Sequence, residues 1–168
     1  MEDRLTVVPI LQVIGRMNDT RVVHLTCNTP AEFEFALGAI PSRSPFGILS
    51  FAFHGCPGEV MLGDGTLVTL PDLAACMGRK FSSWVVHFGS CGTLRADSAD
   101  LEKFMAETGV DLLLGYTKNV DWIDAAAMDL ILFQRLQQYK YTRSMWSYVK
   151  KNYSELVRRT GLTIFPSG

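Results

Sequence analysis

No stretch of this sequence reaches the roughly 18 apolar residues that a bilayer-spanning helix needs. Met1-Glu2-Asp3-Arg4 also lacks the basic and apolar regions of a secretory leader, so the expected location is the cytoplasm. An excess of one charge is missing too: 16 Lys and Arg stand against 17 Asp and Glu, for a net charge of −1. With no long basic stripe, neither nucleic acid nor an anionic membrane is an expected partner. Histidine is scarce, occurring only as His24, His54 and His87. The four cysteines, Cys27, Cys56, Cys76 and Cys91, include no Cys-x-x-Cys pair, and a reducing compartment favours free thiols over two disulfides. Repeats, low-complexity tracts and an interdomain linker are likewise missing. At 168 residues the chain fits one domain, 1–168, able to bury a core without disulfides or structural metal.

What is present is an alternation of helical and extended patterns. Val7, Val8, Leu11, Ile14 and Met17 recur at helical spacing before Asn18-Asp19. Arg21 to Thr26 reads as a short strand. Thr29-Pro30-Ala31-Glu32 is a capping box with proline at the first helical position, and predicts a helix to about Leu37. The apolar run Phe46 to Phe53 predicts a buried strand ending at His54. Glu59–Leu62 and Thr66–Thr69 flank Gly63-Asp64-Gly65 as a hairpin, and Pro71 opens a helix that Gly78 ends. Trp84 to Phe88 is a second buried strand. A helix from Asp97-Ser98-Ala99-Asp100 to Gly109, a strand Val110–Tyr116, helices Asp124–Gln138 and Thr142–Thr160, and a last strand Leu162–Phe165 complete the pattern. This alternation predicts a three-layer α/β domain, a mainly parallel sheet flanked by helices.

Two apolar runs close on chemistry: one on His54-Gly55, the other on Gly89-Ser90-Cys91-Gly92. Ligands of open α/β sheets bind beyond the carboxyl ends of the strands, where a side chain reaches solvent from a rigid support. A thiol attacks as the thiolate and needs a base beside it. The small residues around Cys91, and Gly55 beside the histidine, would leave amides free for an oxyanion. Either residue alone is more simply a buried thiol or a strand-end histidine; it is the pairing that points to a dyad. An α/β-hydrolase is excluded by chain order, since all three histidines precede Cys91. A zinc site of His54, Cys56, His87 and Cys91 has competent ligand types but no metal-ligand spacing, and His87 reads more simply as a core histidine. No metal and no cofactor are expected.

Phe53-His54-Gly55, the hairpin around Gly63-Asp64-Gly65, the helix from Pro71 and Phe88-Gly89-Ser90-Cys91-Gly92 together resemble the caspase-like group of cysteine peptidases. That group includes caspases, metacaspases, separases and bacterial caspase-like domains. In it a strand ends in His-Gly, a hairpin and short helix follow, and a second strand ends in the nucleophilic cysteine. The similarity spans about residues 46 to 135. It implies a caspase-like fold and an endopeptidase acting through a thioester on a protein or peptide substrate. Cys91 would be the nucleophile, His54 the base and then the acid, and the amides of Gly55 and Cys91 the oxyanion donors. Gly89 stands where caspases carry a glutamine of the aspartate pocket, so a basic or small P1 residue is expected instead. Asp121 and Asp124 are the carboxylates that would select it, against the simpler reading in which Asp124 caps a helix and Asp121 is solvated.

A catalytically inactive adaptor of the same fold is the rival expectation. Caspase-like domains usually begin with a strand ahead of the first helix, and here no such strand is expected. The gap implies that the Arg21 strand and the strand before His54 either pair directly or are bridged by another chain, through a homodimer or a strand-donating partner.

Overall fold

The computed structural model describes residues 7–41 and 47–166. They form two compact units: one takes in the described residues up to His24 together with Asp121–Thr160, the other runs from Leu25 to Val120 and resumes at Gly161. The fold class is α/β, with a mainly parallel sheet.

The first unit is helical. It comprises α1 (Val8–Asn18), α5 (Trp122–Gln138), α6 (Thr142–Asn152) and α7 (Ser154–Thr160). α1 packs on α5, and α5 contacts both α6 and α7. Arg159 on α7 closes the arrangement with an ion pair to Asp124 on α5 at 2.6 Å. The single helix expected over Thr142–Thr160 is two, because the backbone turns out of helical geometry at Tyr153 (φ −130°, ψ 32°). No proline or glycine marks the break, and the apolar spacing runs on through it.

The second unit holds α2 (Pro30–Ala39), α3 (Leu70–Met77) and α4 (Ser98–Thr108) with seven strands in two sheets. The main sheet has the order β1 (Ile48–Phe51), β5 (Val85–Phe88), β6 (Leu112–Tyr116), β7 (Leu162–Phe165). β1, β5 and β6 are parallel and β7 is antiparallel. The central strands β5 and β6 are buried on both faces, as their continuous apolar runs require. The row Leu49–Val86–Leu113–Phe165 faces a core shared with Phe33, Leu73, Met77, Phe81, Leu101 and Phe104. The next row, Ser50–His87–Leu114–Ile164, faces the other way. Phe88 is fully buried between Phe51 and Phe104, at ring-centroid distances of 5.6 and 6.1 Å. Phe88→Ala is therefore expected to cost about 3–5 kcal/mol, read as a lowered midpoint in urea.

The capping box of α2 forms as the sequence indicates: Thr29 Oγ1 accepts the Glu32 amide, and Glu32 accepts the Thr29 amide. α3 has the same device, with Thr69 and Asp72. Two expected strands change. Arg21–Thr26 forms no strand, because strand-type side chains give a strand only where a neighbouring backbone supplies the ladder, and none of the described segments does. The strand expected to end at His54 stops at Phe51, where the Gly89 amide makes the last bond to the Phe51 carbonyl at 2.9 Å; Phe46, its expected start, lies outside the described residues. The chain bends at Phe53, and His54 opens a second, antiparallel sheet of β2 (His54–Cys56), β3 (Glu59–Met61) and β4 (Leu67–Thr69). An unbroken apolar run does not distinguish one strand from a strand and a bend.

Candidate active site

Cys91 follows β5 by three residues, in a turn closed by Gly92 at φ 69°, a left-handed conformation that glycine adopts without strain. His54 is exposed at the start of β2, on a different sheet from the cysteine strand. Gly55, the residue after His54, packs its backbone against the turn that carries Cys91. A Cβ built there would lie 2.5 Å from Thr93 Oγ1, 2.7 Å from Ser90 Cβ and 3.0 Å from the Cys91 carbonyl oxygen. The His-Gly strand thus lies directly on the cysteine turn, and glycine is the residue that allows it.

Thr93 fastens the contact. Its hydroxyl donates to the Glu59 carbonyl at 3.0 Å and bonds Ser90 Oγ at 2.7 Å, and its carbonyl accepts the Gly58 amide at 3.1 Å. Thr93 and Ser90 are both buried, so these bonds link the small sheet to the cysteine turn away from water. Sequence reading missed Thr93, since a threonine after a glycine has no periodic signature. It also missed Val120, whose N–H donates to Cys91 Sγ at 3.4 Å while its carbonyl lies 3.9 Å from the sulfur. Here the backbone acts, and the side-chain type carries no signal.

Cysteine protonation differs around the molecule. Burial, reinforced by Glu32, pushes the Cys27 thiol above its ordinary value. Cys56 donates to Glu59 Oε2 at 3.1 Å, and that bond, followed by burial and the carboxylate charge, raises it as well. Cys76 is raised by burial and by Glu34 and Asp72. All three shifts disfavour the thiolate. At pH 7.5 iodoacetamide is expected to modify Cys91 at least about tenfold faster than the other three, as mapped by peptide mass spectrometry. Glu59→Gln removes the negative charge that opposes the Cys56 thiolate, so alkylation of Cys56 at pH 8 should rise while that of Cys76 stays constant.

The remaining sequence-selected residues have other places. His87 is buried in the sheet, with Nδ1 2.9 Å from Ser50 Oγ on the neighbouring strand. It is therefore apart from the zinc arrangement considered for it, and the described residues hold no cluster of three or more His, Cys, Asp or Glu able to take a metal. Gly89 bridges the ends of β1 and β5 through its amide. Asp121 and Asp124 belong to the helical unit. Asp121 Oδ1 caps α5 by accepting the amides of Ile123 and Asp124, at 2.9 and 3.3 Å, and Asp124 pairs with Arg159. Among the described residues no helix is long and apolar enough to cross a membrane.

The fold and site define an α/β protein that sets an exposed histidine and a half-buried cysteine on abutting backbone segments. Over residues 1–165 the sequence matches a protein family of unknown function, DUF6642, and the chain belongs to that family. No curated protein matches it significantly.

Proposed function

We propose that the protein is a cytoplasmic caspase-like cysteine endopeptidase working through a His54–Cys91 dyad. The observation that carries this reading is the backbone approach at Gly55, which sets the His-Gly strand against the cysteine turn. The order of elements supports it as well: strand, His-Gly, hairpin, short helix, strand, cysteine. In the proposed reaction His54 takes the Cys91 proton and the sulfur adds to the scissile carbonyl carbon, sending its electron pair to oxygen. The amides of Gly55 and Cys91 stabilise that oxyanion. Collapse breaks the C–N bond as His54 protonates the leaving amine, giving a thioester. Water, deprotonated by His54, then adds to the thioester, and the C–S bond breaks to release the acid and restore the thiol. Four free cysteines support the cytoplasmic placement.

Gly89 supports a preference for a small or basic P1 residue over aspartate, since it offers no side chain to hold a carboxylate. A peptide library is expected to be cut chiefly after such residues, and cleavage chiefly after aspartate overturns the preference. The dyad is tested with electrophilic peptide probes. Covalent labelling of Cys91 in the native protein, lost in Cys91→Ala, is the expected result. The hydrogen bonds between the sulfur and Val120 favour a second reading, a non-catalytic binding module with a sequestered thiol. Failure of basic, acidic and apolar probes alike would select that reading.

A further inference from the structure

β1 stands at the end of the main sheet, with β5 on one side. The Val85 amide bonds the Gly47 carbonyl and the Gly89 amide bonds the Phe51 carbonyl, both at 2.9 Å. Alternate residues of a parallel strand face the same neighbour, so Gly47, Leu49 and Phe51 turn their backbone groups to β5. Ile48 and Ser50 turn theirs outward, to an edge that no described strand covers. Such an edge is a template for another strand. The opposite edge differs: β7 runs into Pro166, which has no N–H to donate.

Upstream, Val22–Thr26 has the side chains of a strand but joins none, and makes no backbone–backbone hydrogen bond among the described residues. Val22, Val23 and Leu25 are 38, 51 and 44% exposed. With Val13 and Met17 they make five of the ten large apolar side chains exposed among the described residues, gathered within 13 positions. One chain therefore carries both an open sheet edge and a strand-forming segment with no ladder. A second copy supplies the complement of each. A net charge of −1 gives two copies little electrostatic reason to stay apart, and a two-fold axis satisfies both pairings at once and closes the assembly.

We propose that Val22–Thr26 of one copy adds as an extra strand to the outer edge of β1 in a second copy, reciprocally, to form a symmetric dimer. Main-chain bonds to Ile48 and Ser50 would supply the ladder, and Val22, Val23 and Leu25 the apolar contact. The inference is independent of the peptidase reading, and its test requires no activity.

Sedimentation and light scattering of the full chain at about 100 μM should give twice the 18.7 kDa of one chain. The exposed-site double variant Val23→Lys/Leu25→Lys should be monomeric with an unchanged circular dichroism spectrum. Ile48→Pro removes an outward N–H and leaves the β5 bonds in place, so it should be monomeric too. If that proline unfolds the sheet, hydrogen exchange in the wild type decides: the amides of Ile48 and Ser50 and the alternate amides of Val22–Thr26 that face them should be protected at high concentration and lose protection together on dilution. A wild-type monomer at 100 μM, a dimer that survives the double lysine variant, or protection independent of concentration overturns the proposal; the last result means that the segment pairs within its own chain.

Discussion

His54→Ala is expected to reduce kcat/KM by about 10³- to 10⁴-fold on any peptide the wild type cleaves. Cys91→Ala should remove turnover altogether. Base and nucleophile act as one unit, because the thiol is a poor nucleophile until its proton has somewhere to go and the amine is a poor leaving group until a proton arrives. Their losses therefore do not add, and the double variant should be no worse than Cys91→Ala alone. His54 is exposed on β2, so removing its ring opens no cavity in the core, and the loss of stability should stay below about 1–2 kcal/mol, far too little to unfold the protein. That separation matters, since a lost fold and a lost base would otherwise look alike. A His54→Ala protein that keeps most of its activity while Cys91→Ala loses it would assign the base elsewhere. Activity surviving in Cys91→Ala would remove the thioester route itself.

Local chemistry was the legible part of the sequence. The Thr29 box, Pro71, Gly78 and Gly109 end or begin helices where expected, because each acts through bonds or φ values within a few residues of itself. The strands β5 and β6 are equally readable, their side chains reporting burial on two faces, and β7 is legible as a short apolar run after Gly161. Arg21–Thr26 shows where this fails. It has the same local pattern, but a ladder is a property of two segments, and only the tertiary arrangement shows whether the second exists. The apolar run puts His54 at the end of a strand, whereas it begins one, since the bend at Phe53 lies inside a run whose aromatic side chains, Phe51 and Phe53 with Phe33, join one cluster on both sides of it. The break at Tyr153 was silent for a similar reason. At the site, both reacting residues were visible as residue types, while their support was not. Thr93 acts through bonds to residues 34 positions upstream and 3 positions upstream, and Val120 through its main chain.

Gly55→Ala is expected to disable the site although it adds one methyl group. The new Cβ would meet Thr93 Oγ1 at 2.5 Å, Ser90 Cβ at 2.7 Å and the Cys91 carbonyl oxygen at 3.0 Å, and none of these is the loose end of a long side chain. Thr93 and Ser90 are buried and bonded to each other, Thr93 is also held to the Glu59 carbonyl, and the third contact is backbone. The cheapest relief is for β2 to lift from the cysteine turn, taking His54 with it. A displacement of about 1 Å at a reacting pair costs on the order of 10²-fold in rate, and forcing a methyl into a filled contact costs about 1–3 kcal/mol in stability. Both losses should appear together, as a slower reaction of Cys91 with the peptide probe and a lower unfolding midpoint. Gly38→Ala is the control, because its Cβ meets nothing within 4 Å inside α2, and it should leave probe labelling unchanged and raise stability by up to about 1 kcal/mol. Adding Thr93→Ala to Gly55→Ala removes the nearest clash and leaves the Ser90 and Cys91 contacts, so recovery should be partial at best. Wild-type labelling by Gly55→Ala would mean that the approach of β2 to the turn is not what positions the histidine.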